Sequence, residues 1–439
     1  MSKNIRLTYI ALAMVASIGL SGLIKISLTL AQSTTSSNTS TSPSSLQQKI
    51  DQRNADIKNL EKEIANYQKQ ISTLDSQATS LSSTVKSLDL TQKKLAADIL
   101  VTENKIAAQN LRIQQLSTDI THHKNNIADD RRIIAHTFNT IDQSDKTSII
   151  ETVLGSDSVS TTLHALDDLG SLQKELYLRI DQIAQNKADL ESTKTDTEKA
   201  RATLLALNKQ LKDQHTVVSS TKSAQNKLLA DTKQSESSYQ KILAQKTAQK
   251  DAFEREITDY ESQLKINVDK EKIPHSGSGV LSWPLDSIAI TQYFGNTDFA
   301  TANPQIYNGK GHTGVDFRAS IGTPIKAALN GVVSGTGNSD LVKGCYSFGK
   351  WVMVKHPNGL STLYAHLSLP VVSTGQSVTT GQLLGYSGNT GYTTGPHLHF
   401  GVYATEGVVI GPLTSSVNCH NAIIPIAPFK AYLNPLSYL

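Results

Sequence analysis

Between residues 44 and 273 the chain has no proline, and Gly155 and Gly170 are the only glycines there. The other glycines and prolines fall after residue 273, apart from Gly19, Gly22 and Pro43. These two residues break helices and close tight turns, so half of the chain is built almost without punctuation and half is dense with it. A single mixed domain is excluded, and the unpunctuated half can hold little except long helices. Its apolar residues agree. A seven-residue step runs through Ile50, Ile57, Ile64, Ile71, Ala78, Val85, Gln92, Ile99, Ile106, Ile113, Ile120 and Ile127. Three residues later a second series includes Leu60, Tyr67, Leu74, Leu81, Leu88, Leu95 and Leu116. Two apolar positions per heptad sustained this long specify a coiled coil. We expect one arm on the order of 110–120 Å long, with Gln92 and His123 as polar positions that set register.

The pattern breaks over 131–168, around Gly155. We expect the tip of a hairpin there, with short helices near Ser148–Leu154 and Leu163–Leu169. A weaker seam then returns through Leu169, Leu176, Ile183, Leu190, Leu204, Leu211, Val218, Tyr239, Phe253 and Tyr260. Residues 46–270 therefore read as an antiparallel helical hairpin in which each arm buries the stripe of the other; Ile in one series and Leu in the other equally suit a parallel dimer. His122, His123, His136, His164 and His215 lie in this region without ligand spacing and read as surface or seam residues.

At the start, Lys3 and Arg6 precede an apolar run, Leu7 to Ile24. This is the pattern of a secretory signal, with cleavage near Ala31, or of an uncleaved membrane anchor. Both place the rest of the chain outside the cytoplasm, as a secreted, cell-surface or periplasmic protein. Residues 32–45, nearly all Ser and Thr, read as a flexible linker. The 42 basic and 38 acidic residues nearly balance, so no footprint of a nucleic-acid binder is present.

After a linker at 271–282, residues 283–439 read as an all-β antiparallel domain with short runs at Ile288–Phe294, Val332–Val333, Lys350–Lys355, Ser361–Tyr364, Leu383–Tyr386 and His397–Tyr403. Three histidine clusters lie in it: His312-Thr-Gly-Val-Asp316, Tyr364-Ala-His366-Leu367 and Gly395-Pro-His397-Leu-His399-Phe400. Side chains alternate along a strand, so His397 and His399 share a face. His312 and Asp316 are also an even step apart, and one extended segment could aim both at one face. Two His and one carboxylate with an open position make a catalytic zinc site, which leaves two further His for proton transfer. His356 and His420 have no such partners and read as structural.

These motifs, in this order, resemble those of the lysostaphin/LytM-type zinc metallopeptidases (peptidase family M twenty-three), peptidoglycan endopeptidases with an antiparallel β core. The resemblance covers roughly Gly277 to Ile410. It implies one Zn²⁺ held by His312, Asp316 and His399, with His366 and His397 as the catalytic pair. Some members add a transition-state-stabilising Tyr a few residues before the first His; Tyr307 is the nearest match, one residue off that spacing. Residues 46–270 more loosely resemble the coiled coil of EnvC-type murein hydrolase activators, through Ile149–Ser156 and Leu163–Leu169. That resemblance implies a membrane FtsEX-like division complex as a partner of the hairpin tip.

Cys345 and Cys419 both fall in the β domain. Export permits a disulfide between them; the alternatives are two free thiols, or a third metal site with His420. The expected protein has α and β parts in separate domains. It is an exported zinc endopeptidase acting on peptidoglycan stems or cross-links and positioned or regulated by its coiled coil. The alternative from another class is a non-hydrolytic activator that switches on a separate amidase at the division site. The complete set of metal and proton-transfer positions favours the enzyme.

Overall fold

The computed structural model describes residues 43–75, 80–145, 159–264, 273–277, 279–297, 311–414 and 416–439. The leader Leu7–Ile24, the expected tip helix Ser148–Leu154 and Tyr307 lie outside them. Four helices come first: α1 (Pro43–Asp75), α2 (Leu81–Asp145), α3 (Val159–Thr232) and α4 (Glu236–Gln263). The segment Leu163–Leu169 forms part of the first turns of α3. None of the described helices is both long and apolar enough to cross a membrane.

Helices α2 and α3 run antiparallel along most of their length. Asp130 meets Arg179 at 3.0 Å, His123 Nδ1 meets Asn186 Oδ1 at 3.3 Å, and Gln109 Nε2 donates to the Ala200 carbonyl at 3.1 Å. Partners on α3 recede as α2 advances, as in an antiparallel hairpin. The polar seam positions pair across the hairpin, His123 with Asn186 and Gln92 with Gln225.

The first arm differs from the expectation. The unbroken Ile50–Ile127 series is folded in two, because the chain turns between Asp75 and Leu81 and α1 packs back along α2. Arg53 Nη1 donates to Asn104 Oδ1 at 3.0 Å across this second hairpin. The seven-residue step continues in sequence from α1 into α2, so Ile71 and Leu81 are both buried and the periodicity hides the change of direction. The marker was the small polar run Ser76-Gln-Ala-Thr-Ser80. Ser80 Oγ accepts the Ser83 N–H at 3.2 Å, the usual capping of a helix start, and Glu236 accepts the Leu81 N–H at 2.8 Å. Between α3 and α4, Lys233 and Gln234 adopt φ of 49° and 56°, a left-handed break made without glycine.

The β domain contains β1 (Ile290–Gln292), β2 (Val315–Arg318), β3 (Pro324–Lys326), β4 (Gly331–Asn338), β5 (Lys350–Lys355), β6 (Leu360–Pro370), β7 (Ser377–Val378), β8 (Leu383–Ser387), β9 (His397–Ala404), β10 (Val409–Pro412), β11 (Ile423–Ile426) and β12 (Tyr432–Leu433). The main sheet is antiparallel, in the order β1-β2-β9-β6-β5-β4-β7, with β8 on β6 and β3, and β12 on β9. Central strands bury both faces. Val352 and Val354 enter one core with Phe317, Leu398 and Phe400, while Trp351 and Met353 enter another with Leu363 and Tyr403.

Residues 273–282 are not a free linker where they are described. The Gly277 and Leu281 N–H groups donate to Ser437 and Tyr438 carbonyls at 2.9 and 2.8 Å, and Leu281 is buried in the first core. The helices also pack on the sheet. Leu95 of α2 and Val217 of α3 bury against Ile321 and Tyr386, and the buried Lys94 ammonium bonds the Ile321 carbonyl at 3.3 Å and Asp98 at 3.1 Å. Phe253 of α4 joins Leu413, Ile424 and the Cys345–Cys419 disulfide, whose residues are 74 apart in sequence.

Candidate active site

Strand pairing assembles the three histidine motifs. Strand β2 lies against β9 in the register Asp316↔His399 and Arg318↔His397. Directly paired residues face the same side. Val315, Phe317, Leu398 and Phe400 take the core side, so Asp316, Arg318, His397 and His399 share the other. Strand β6 pairs with the opposite edge of β9, Ala365 with His399, and delivers His366 beside them. His312 does not extend β2. It sits in an isolated bridge with Gly295, after Gly311 at φ +79°, so two segments rather than one supply the first motif.

His312 Nε2, Asp316 Oδ1 and His399 Nδ1 converge: the three separations are 3.1, 3.3 and 2.9 Å. Tetrahedral donors about 2.0–2.2 Å from a zinc ion lie roughly 3.3 Å apart, so the set fits a metal. The protons agree. His312 Nδ1 lies 3.0 Å from the Tyr293 carbonyl, which can only accept. Nδ1 therefore carries the hydrogen, and Nε2 turns its lone pair to the cluster. Among the described residues, these three are the group able to hold a metal ion. Burial pushes the Asp316 carboxyl up, and the surrounding His312, His397 and His399 rings outweigh that, holding it well below the usual carboxylate range.

His366 and His397 stand beside the cluster with ring centres 4.7 Å apart. Each has its Nδ1 on a backbone carbonyl, Thr390 at 2.9 Å and Gly395 at 2.8 Å. Both rings are thus anchored at Nδ1 with Nε2 turned to the cluster, that of His397 3.7 Å from Asp316 Oδ2. Burial, reinforced by the neighbouring His397 and His399 rings, drives the His366 pKa well below that of an ordinary imidazole. His366 also holds φ at +60°, unusual for a residue with a side chain and a form of strain that collects at functional sites.

Several contributors carry no motif signal. Thr390 holds His366 through its carbonyl, while its hydroxyl donates to Leu367 O at 2.8 Å and accepts the Lys350 N–H at 3.0 Å. Asp340 accepts the Gly391 N–H with both oxygens, at 3.0 and 3.1 Å. Gly314 gives room to the His399 ring, because a Cβ there would stand 2.7 Å from His399 Cε1. Gly314 was visible in the first motif; its packing against His399 was not. His356 is buried away from the cluster, bonding Asn330 O at 3.0 Å and Thr362 Oγ1 at 2.8 Å.

The five positions line one cavity of about 390 Å³. Phe253, Ile257 and Glu261 of α4 and Ser72 of α1 line it too. Helix α4 is held by its carboxylates. Glu256 accepts from the Ser416 hydroxyl, the Val417 N–H at 3.0 Å, the Asn418 N–H at 3.3 Å and Asn418 Nδ2 at 2.6 Å; Glu261 accepts from the Tyr432 hydroxyl and the Ala427 N–H at 3.3 Å.

An antiparallel sheet that presents two histidines and an aspartate at metal-ligand spacing, with two more histidines alongside, defines a metallopeptidase type of centre. Residues 310–412 match the model of Peptidase family M23, and the chain carries a metallopeptidase domain of that family. Over 98 residues it is 43% identical to the DD-carboxypeptidase/endopeptidase Mpg of Neisseria meningitidis, covering 22% of this chain and 21% of that protein. It is 42% identical over 116 residues to the peptidoglycan DD-endopeptidase ShyA of Vibrio cholerae, 26% of this chain and 24% of that one. The catalytic domain of lysostaphin from Staphylococcus simulans is 29% identical, with 34% of this chain and 90% of that chain covered and a TM-score of 0.25. The chain thus spans under a quarter of the length of the first two relatives.

Proposed function

We propose that the protein is an exported zinc metalloendopeptidase that hydrolyses peptide bonds in peptidoglycan stems or cross-links. The observation that carries this reading is the convergence of His312, Asp316 and His399 in one cavity with His366 and His397. One matched relative is named a peptidoglycan DD-endopeptidase and another a DD-carboxypeptidase/endopeptidase, which supports a bond between D-residues as the one cut. Zinc held by the cluster supplies Lewis acidity for amide hydrolysis. His366 and His397 each offer Nε2 to a proton, with Nδ1 anchored, and so take the proton of the attacking water and pass one to the departing amine. The low basicity of His366 keeps that ring neutral and able to accept at neutral pH.

The helices regulate access in this reading. Helices α1 and α4 line the cavity that a peptide must enter, so they hold the isolated chain to a basal rate, and a partner engaged by the hairpin, such as a membrane division complex, raises that rate by displacing them. The test uses the full chain on purified peptidoglycan, with fragments read by mass, with and without a chelator. Chelator-sensitive release of peptide fragments is expected. His399→Ala should lose metal and activity together, whereas His366→Ala should keep the metal and lose about 10²–10⁴ in rate. Zinc-loaded, folded protein that releases nothing, even with α4 released by Phe253→Ala, Glu256→Ala and Glu261→Ala together, overturns the enzyme reading in favour of the amidase activator.

A further inference from the structure

Among the described residues lining the catalytic cavity, Arg318 is the one Lys or Arg. Neither the motifs nor the metal cluster uses it. Its place is set by the sheet: Arg318 pairs with His397 across β2 and β9 and lies two residues from Asp316 on the same strand. One same-face step along a strand is about 6.6 Å, so its guanidinium serves ground just beside the reacting centre. Burial there belongs to its neighbours; Arg318 itself is exposed. The contact that its Nη1 makes is a 2.6 Å hydrogen bond to the Ser72 hydroxyl of α1, a neutral acceptor on an element outside the β domain. A guanidinium is a fork of fixed donors matched to a carboxylate, and a single hydroxyl meets little of that capacity. The adjacent strand β1, paired with β2, brings Thr291 and Gln292 to the same part of the wall as neutral polar groups; the two acids of the cavity are engaged elsewhere, Asp316 in the metal cluster and Glu261 with Tyr432 and Ala427.

We infer that Arg318 is a specificity-determining residue: it binds a free carboxylate on the peptide substrate, within one or two residues of the bond cut, and Ser72 holds that position while α1 is docked. The inference rests on the peptidoglycan reading above and adds to it which peptides the cavity selects, those with an acidic group next to the scissile bond over those in which that group is amidated.

The test measures binding and cleavage separately, on the full chain. The probes are a fluorescein-labelled synthetic cross-linked stem-peptide pair with free carboxylates and the same pair with those carboxylates amidated. Fluorescence anisotropy in the presence of a chelator gives the dissociation constants while the peptides stay whole. The unmodified protein should bind the free-carboxylate probe about tenfold tighter, the size of one charge-assisted contact. Arg318→Ala should abolish that preference and Arg318→Lys retain part of it, both with an unchanged melting temperature, since the side chain is exposed. Equal binding of the two probes, no binding of either, or a preference that survives Arg318→Ala overturns the inference. An arginine that serves only to tether α1 predicts that Ser72→Ala reproduces Arg318→Ala, and that outcome overturns it too. Parallel assays without chelator keep the two readings apart. Discrimination without cleavage retires the peptidase and leaves the carboxylate site; cleavage without discrimination does the reverse.

Discussion

Adding one methyl group at Gly314 should weaken zinc binding by the His312–Asp316–His399 cluster. A Cβ built there would lie 2.7 and 2.8 Å from Cε1 and Nε2 of His399 and 2.6 Å from the Phe400 carbonyl. Ordinary contact begins at 3.4 Å, so the ring falls short by 0.7 Å. Little can yield. The ring's Nδ1 must stay in the cluster, 2.9 Å from Asp316 Oδ1 and 3.1 Å from His312 Nε2, and Phe400 pairs with Val315 in the β2–β9 ladder. A displacement of that size exceeds the tolerance of about 0.2 Å on metal–ligand distances. Overpacking of a closed site costs about 1–3 kcal/mol, and disturbing the surroundings of a metal ligand typically costs about 10–100-fold in affinity. Zinc competition against a chromogenic chelator and thermal unfolding by circular dichroism read both effects. We expect Gly314→Ala to bind zinc at least about tenfold more weakly and to melt a few degrees lower. Gly277→Ala, where nothing lies within 4 Å of the added atom, should change neither. If Gly314→Ala binds zinc like the unmodified protein, the ring has room that the geometry denies, and the reasoning fails.

Other perturbations probe the rest of the molecule. Glu256→Ala removes the acceptor shared by Ser416, Val417 and Asn418 and should raise peptidoglycan cleavage by freeing α4; a rate equal to that of the unmodified protein would argue against restraint by that helix. Reducing the Cys345–Cys419 bridge, or replacing both cysteines by Ala, should destabilise the β domain by about 4 kcal/mol on the chain-entropy model for its separation of 74 residues, seen as a lower denaturant midpoint under reductant. Burial lowers the pKa of His356, against the opposing bond to Asn330, so the fold prefers the neutral ring. Its contribution is complete above the unfolded pKa of about 6.5 and is lost as pH falls below that value. Between pH 7.5 and 5.5, with chelator present throughout, the unmodified protein should lose more melting temperature than His356→Asn; parallel losses would show that His356 is not the titrating group.

The separation into helical and β halves was legible because glycine and proline distribution is a property of sequence alone. So was the shared face of His397 and His399, which follows from strand alternation. The fold of the first arm was not. Ile71, Ala78 and Val85 keep the heptad through the turn, and periodicity reports which residues are buried, not which way the chain runs between them. Ser80, a helix-capping residue inside an apolar repeat, was the local sign. Strand β2 was hidden because four residues, one of them Asp316, are too few to show alternation, and His312 reaches the cluster through a bridge to Gly295 that no local pattern encodes. Lys94 is a further case. A lysine in a helix reads as solvated, and its burial follows from the Ile321 carbonyl of a segment 227 residues away.

The contact between Leu95 and Ile321 sits near one end of α2, and the helix continues from there to Asp145. That is an arm of about 75 Å at 1.5 Å per residue, acting on a small patch in which Leu95 and Val217 meet Ile321 and Tyr386. Treated as a stiff lever, it gears motion down roughly tenfold and gears force up by the same ratio. A sideways shift of about 10 Å at the far end opens the contact by about 1 Å, enough to forfeit up to half of its dispersion energy. A weak pull at the distal end, applied over a long stroke, can therefore do at the sheet what a direct push on Leu95 would need far more force to achieve.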